Sequence, residues 1–142
     1  MTIFKFDKHG FLWEPNLHDR WVSRLILNSE QCIEIDFTSS HKSSAVCLSF
    51  VDVDDFQSVI RGPRIFTELF VSGNGTGTEN DEISIMESLV PKEFGKQIID
   101  SYKKRENSEK QKTFLVLAMM DGYVSFWFTE MFFDDSSPTT LN

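Results

Sequence analysis

Residues 113–133 hold two long apolar runs, Thr-Phe-Leu-Val-Leu-Ala-Met-Met and Tyr-Val-Ser-Phe-Trp-Phe-Thr-Glu-Met-Phe-Phe, joined by Asp121-Gly122. Asp-Gly between apolar runs is the strongest short-range signal for a tight β-hairpin. A two-residue turn at that dipeptide pairs Leu117 with Phe126 and Leu115 with Phe128. The opposite face then carries Phe114, Val116, Met120, Tyr123 and Trp127. An antiparallel hairpin with one wet face alternates apolar and polar residues. This one is apolar on both faces, so its strands must be central in a sheet that is covered on both sides.

The rest of the chain is read around that hairpin. Residues 31–38 alternate, with Ile33, Ile35 and Phe37 on one face and Cys32, Glu34, Asp36 and Thr38 on the other. Residues 45–51 alternate as well. A hairpin through Ser39–Ser44 sets Ile33 opposite Phe50, Ile35 opposite Leu48 and Phe37 opposite Val46, which gathers every large apolar side chain on one face. The same register sets Cys47 opposite Asp36 and not opposite Cys32, so no disulfide is expected between the two cysteines. Further strands are expected over 3–6, 21–28 and 64–71, with a turn at Asp7–Gly10 and a break at Pro15-Asn16. The Gly- and Thr-rich stretch Ser72–Asn80 reads as a mobile loop, and 83–90 fits either strand or helix. Pro91 suits the first position of a helix, and Phe94, Ile98, Ile99 and Tyr102 follow as an apolar stripe. The expected fold is therefore α+β. It is a mostly antiparallel, strongly twisted sheet or half-barrel with one main helix near 91–105. A length of 142 residues fits a single domain, 1–142, with a polar tail from about Asp134.

Composition narrows the functions. The net charge is −8, which repels nucleic-acid phosphates and anionic membrane surfaces alike and favours basic protein partners. No apolar run reaches the length of a membrane span, and no basic-then-apolar leader opens the chain. A cytoplasmic protein with reduced thiols is expected.

Chemistry-bearing motifs are sparse. His9 falls in a turn and His41 in a hairpin loop, neither with a second ligand at metal spacing. His18-Asp19 is the one pair that resembles a proton relay, and it sits where a turn precedes the strand at Trp21. Gly73-x-Gly75-x-Gly77 imitates a phosphate loop, but Glu79, Asp81 and Glu82 follow it and would repel phosphate. Asp52, Asp54 and Asp55 cluster after a strand without the spacing of a calcium loop. No catalytic residue, metal or cofactor is expected.

Charge is unevenly spread. Residues 31–60 carry a net −4 and 113–142 another −4, whereas 91–112 carry +3. The sheet is thus acidic and the helix region basic, which suits docking of the sheet onto a basic protein. The cadence from His18 to Phe56 comprises His18-Asp19, the strand with Arg24 and Leu25, the alternating Ile33–Phe37, and Leu48-Ser49-Phe50-Val51-Asp52-Val53. It resembles small bacterial immunity proteins, including those paired with polymorphic or contact-dependent growth-inhibition toxins. The resemblance implies a cytoplasmic inhibitor that occludes a cognate toxin domain, often a nuclease. The acidic residues expected to face such a partner are Glu34, Asp36, Asp52, Asp54 and Asp55. Two other classes stay open: a half-barrel that binds a small molecule in a Phe- and Trp-lined pocket, and an enzyme using His18 and Asp19.

Overall fold

The computed structural model describes residues 4–28, 30–39, 42–73, 75–104 and 112–136. The loop residue His41, Asn74 of the Gly-rich stretch, most of the charged run after Lys104 and the tail beyond Ser136 lie outside the described residues.

The expected α+β class holds, and its sheet resolves into layers. Among the described residues ten strands form three antiparallel sheets. A small hairpin joins β1 (Lys5–Phe6) to β2 (Leu12–Glu14). An outer four-stranded sheet runs in the order β10 (Glu130–Ser136), β5 (Lys42–Val51), β4 (Ile33–Ser39), β3 (Trp21–Leu27). A central four-stranded sheet runs in the order β6 (Asp54–Ile60), β9 (Gly122–Phe128), β8 (Thr113–Met119), β7 (Phe66–Val71). Helices α1 (Glu79–Leu89) and α2 (Gly95–Lys103) cover the far face of the central sheet.

The β4–β5 register is the expected one, with Ile33 opposite Phe50, Ile35 opposite Leu48 and Phe37 opposite Val46. These side chains enter the core shared with Leu115, Leu117, Val124, Phe126 and Phe128 of the central sheet. Phe50 lies 4.9 Å from Phe126 and 5.2 Å from Phe128, ring centre to ring centre, in edge-on contacts that add to the area they bury. The other face of the central sheet presents Phe70, Phe114, Val116, Tyr123 and Trp127 to Met86 of α1 and to Ile98 and Tyr102 of α2. The two-faced hairpin is thus central and dry on both sides.

Its register differs from the expected one by two positions: Leu115 pairs with Phe126 and Leu117 with Val124. The faces are unchanged, because a shift of two preserves the alternation. The turn is made by Met120-Asp121, and Gly122 is already a strand residue opposite Met119 and Ile60. Met120 is accordingly an exposed turn residue and not part of the buried face. The glycine serves close approach: a Cβ there would lie 2.2 Å from the carbonyl oxygen of Val59 on the neighbouring strand.

The run 123–133 is not one strand. The chain leaves the central sheet at Thr129 and enters the outer sheet as β10. β5 and β6 make the reverse transfer through Asp52 and Val53. The two corners hold each other. The Thr129 N–H donates to Val51 O at 3.1 Å, and its hydroxyl donates to the Asp52 carboxylate at 2.8 Å. Asp134–Ser136, expected as frayed tail, are instead paired with Cys47, Val46 and Ala45.

The expected main helix near 91–105 is α2, and α1 precedes it. Thr78 caps α1 and shares a reciprocal capping box with Asp81. The ambiguous 83–90 segment is therefore helical. The Gly-rich stretch before it is docked: Thr76 N–H donates to Lys8 O at 2.8 Å, and a Cβ on Gly75 would meet the same oxygen at 2.7 Å. Glu82 closes this end of the helical layer. Its buried carboxylate accepts from the Tyr102 hydroxyl of α2 at 2.6 Å and from Gly73 N–H at 2.7 Å.

Gly122→Ala should destabilise the protein by about 1–3 kcal/mol, the usual cost of forcing an extra methyl into a packed interior. Urea denaturation measures it. An unchanged midpoint would show that β6 and β9 do not approach as closely as described.

Candidate functional site

The outer face of the β10-β5-β4-β3 sheet is the one large sheet face on which no described element packs. Alternation dictates what it shows. Inward residues of β4 and β5 are buried, and their outward neighbours Glu34, Asp36, Thr38, Cys47 and Ser49 are half-exposed. Cross-strand register arranges the outward residues in rows. One row is Ile26, Glu34, Ser49, Phe132; the next is Arg24, Asp36, Cys47, Asp134. Trp21 stands beyond them opposite Thr38. Phe132 is 51% exposed, Trp21 41% and Ile26 40%. A face with three exposed large apolar side chains among carboxylates has the composition of a recognition surface: apolar anchors and charges that choose the partner.

Charge on the face is one-sided. Among the described side chains, Glu34, Asp36, Glu130 and Asp134 share the face with one cation, Arg24. Arg24 Nε donates to Asp36 Oδ2 at 2.6 Å, and its second nitrogen lies 3.6 Å from Glu34. The hydrogen bond to Asp36 holds the guanidinium above its ordinary pKa. The Cys47 thiol sits between Asp36 and Asp134 in its row. Burial, and after it the neighbouring Asp36, push this thiol up to about 11. A thiol so placed stays protonated and is a poor nucleophile at neutral pH.

The five expected acids divide between two places. Glu34 and Asp36 lie on the outer face. Asp52, Asp54 and Asp55 lie at the corner between the sheets, each with a partner. Asp52 accepts from Thr129, Asp54 is bonded to Lys112, and Asp55 lies 3.4 Å from Lys104. Lys112 also donates to Asp52 O at 2.9 Å. The basic helix region expected from the sequence thus contributes two lysines to the corner acids. Asp52 and Asp55 adopt left-handed backbone conformations, φ 56° and 52°, where the chain bends between sheets. Short polar side chains tolerate that region best.

Sequence reasoning missed Glu130, Phe132 and Asp134. Their signal was the alternation of acidic and aromatic residues after Thr129, hidden because 123–133 reads as one run.

The other motifs fall elsewhere. His18 and Asp19 form an exposed surface pair 3.6 Å apart, with 75% and 82% of their side chains accessible. The α1 N-terminus behind the Gly-rich stretch is filled by its own Asp81, which accepts from Thr78 N–H at 2.8 Å. Among the described residues no group of three or more His, Cys, Asp or Glu side chains is placed to hold a metal, and no helix is long and apolar enough to cross a membrane. Compared with known proteins, the chain matches no family model, no curated protein and no solved structure.

Alkylation of Cys47 by iodoacetamide at pH 8 should run about a hundredfold below that of a thiol with the ordinary value 9.0, and should rise until pH passes about 11. Asp36→Asn should bring the midpoint part of the way down, burial retaining the rest. A pH–rate profile with its midpoint near 9 would refute the environment described for Cys47.

Proposed function

We propose that this chain is a non-catalytic, protein-binding inhibitor of the immunity type, which acts in the cytoplasm by covering the basic active site of a cognate toxin domain with the outer face of its β10-β5-β4-β3 sheet. The observation that carries the reading is the state of that face: among its described side chains, four carboxylates to one guanidinium, with Trp21, Ile26 and Phe132 exposed and no described element on top. Burying this much apolar side chain in a complex is favourable, and the excess of carboxylates selects a cationic partner and speeds its encounter. A nuclease fits, because a site shaped for phosphate charge also attracts carboxylates. Pairing with a second copy of the same face would set acids against acids, so the partner is a different protein.

The small-molecule alternative draws no comparable support. The space between the sheets is filled by Phe37, Phe50, Phe66, Phe126 and Phe128, whose rings touch one another in edge-on contacts.

The test is a binding titration of the full chain against the product of the neighbouring gene, at low and high salt. A one-to-one complex is expected, with an association rate that falls steeply with salt. Glu34→Lys combined with Asp134→Lys should slow association about tenfold or more at low salt. Glu87→Lys combined with Asp100→Lys, the same charge change on the helical layer, should slow it far less. Equal effects from the two pairs would show that net charge, and not this face, governs binding.

A further inference from the structure

The two large sheets have four edge strands, and three are blunted. Along β7, Phe66 N–H donates to Arg20 O at 2.9 Å and Val71 N–H to Gly10 O at 3.0 Å, so neighbouring chain covers the edge. Along β3, Val22 N–H donates to Arg64 O at 2.7 Å, and a register irregularity follows between Val22 and Arg24. β6 is irregular between Asp54 and Gln57, and the Gln57 amide is bonded to Ser101 of α2. These are the usual devices that stop an edge from pairing with another chain.

Among the described residues β10 has neither a register irregularity nor a covering chain. It pairs with β5 from Glu130 to Ser136 without any irregularity, and among the described residues no backbone hydrogen bond reaches its other side. Its inward side chains Met131 and Phe133 pack on the core yet stay half-exposed. The Phe4 ring meets Phe133 edge-on at 4.9 Å, a side-chain contact. A strand laid along β10 would pair with its backbone groups turned away from β5, cover Met131 and Phe133 from the side, and extend the rows of the outer face.

We infer that β10 is a strand-addition site, and that its occupant is an extended segment of a basic protein with cations directed to the outer face and apolar residues to the core. This rests on the outer face being the docking surface and specifies how the partner engages it. Charge decides the occupant. Outward residues of an added strand lie beside Glu130, Phe132 and Asp134, so cations there pair with carboxylates. A second copy added antiparallel about Phe132 would instead set Glu130 against Asp134 twice, and like charges directly opposite are destabilising. Main-chain bonds would supply affinity and the alternate side chains specificity, as in other strand additions.

The experiment uses the full chain and an end-capped peptide of alternating lysine and valine, followed by amide hydrogen exchange. The controls are the alternating glutamate–valine peptide and a lysine–valine peptide N-methylated on its edge-facing amides. The lysine peptide should protect alternate amides of Glu130–Ser136, those turned away from β5, by about tenfold at a concentration ten times its Kd. Neither control should do so, and β3, β6 and β7 should be unaffected. Glu130→Lys combined with Asp134→Lys should transfer the effect to the glutamate peptide. Binding across the outer face without protection of β10 would overturn strand addition and leave the docking face standing. No binding by the lysine peptide anywhere would count against both. Protection of β10 that grows with protein concentration alone would name a second copy as occupant and overturn the basic partner.

Discussion

The hairpin of β8 and β9 is dry on both faces, and the rest of the architecture follows from covering it. Its strands are buried from Phe114 to Met119 and from Gly122 to Phe128. One face takes α1 and α2, the other takes a second sheet. A chain of this length has no further described layer, so the second sheet has a buried inner face and an open outer one. The outer face is therefore the remainder after a two-sided core has been satisfied. That is why it alone keeps the clean apolar-in, polar-out alternation of Ile33–Thr38 and Val46–Ser49.

Covering one sheet with another requires the chain to pass between them. It does so at Asp52-Val53 and at Thr129, and the two passages are bonded together. The corner needs acids for local reasons: left-handed backbone at Asp52 and Asp55, a hydroxyl to accept from, and lysines to pair with. There, two lysines offset part of the charge of three carboxylates. The acids of the outer face differ. Glu34 and Asp36 share one guanidinium, and Asp134 and Glu130 are exposed on the edge strand. Acidic content in a sequence measures potential attraction; what a partner meets depends on which carboxylates have already been neutralised within the fold.

Much of the fold was legible because it rests on short-range periodicity. The β4–β5 register follows from Ile33, Ile35 and Phe37 alternating with polar residues, and the two faces of β8 and β9 follow from their composition. The turn between β8 and β9 was misplaced because Gly122 was read as a turn residue, when its missing side chain accommodates the backbone of Val59. β6 was missed because Asp54 and Asp55 look like loop residues until Lys112 and Lys104 are known to face them. The second helix was hidden because α1 draws its stability from a capping box and from the Glu82–Tyr102 bond, and has only a weak apolar stripe. Each miss involves a partner distant in sequence, which no window of neighbouring residues contains.

The same distinction applies to the site. Two of the five expected acids reach the outer face, and the residues that complete it, Glu130, Phe132 and Asp134, come from a strand whose existence depends on the chain changing sheets at Thr129. Sequence alternation alone assigns Phe132 to a face, but not to a sheet. Had the run continued straight in the central sheet, Phe132 would have extended the covered side and the acids beside it would have capped a frayed end. Bending at Thr129 turns that run into a regular edge beside Cys47 and Ser49. One threonine hydroxyl bonded to Asp52 thus helps determine where the aromatic anchor stands, and on which side of the molecule its charges are displayed.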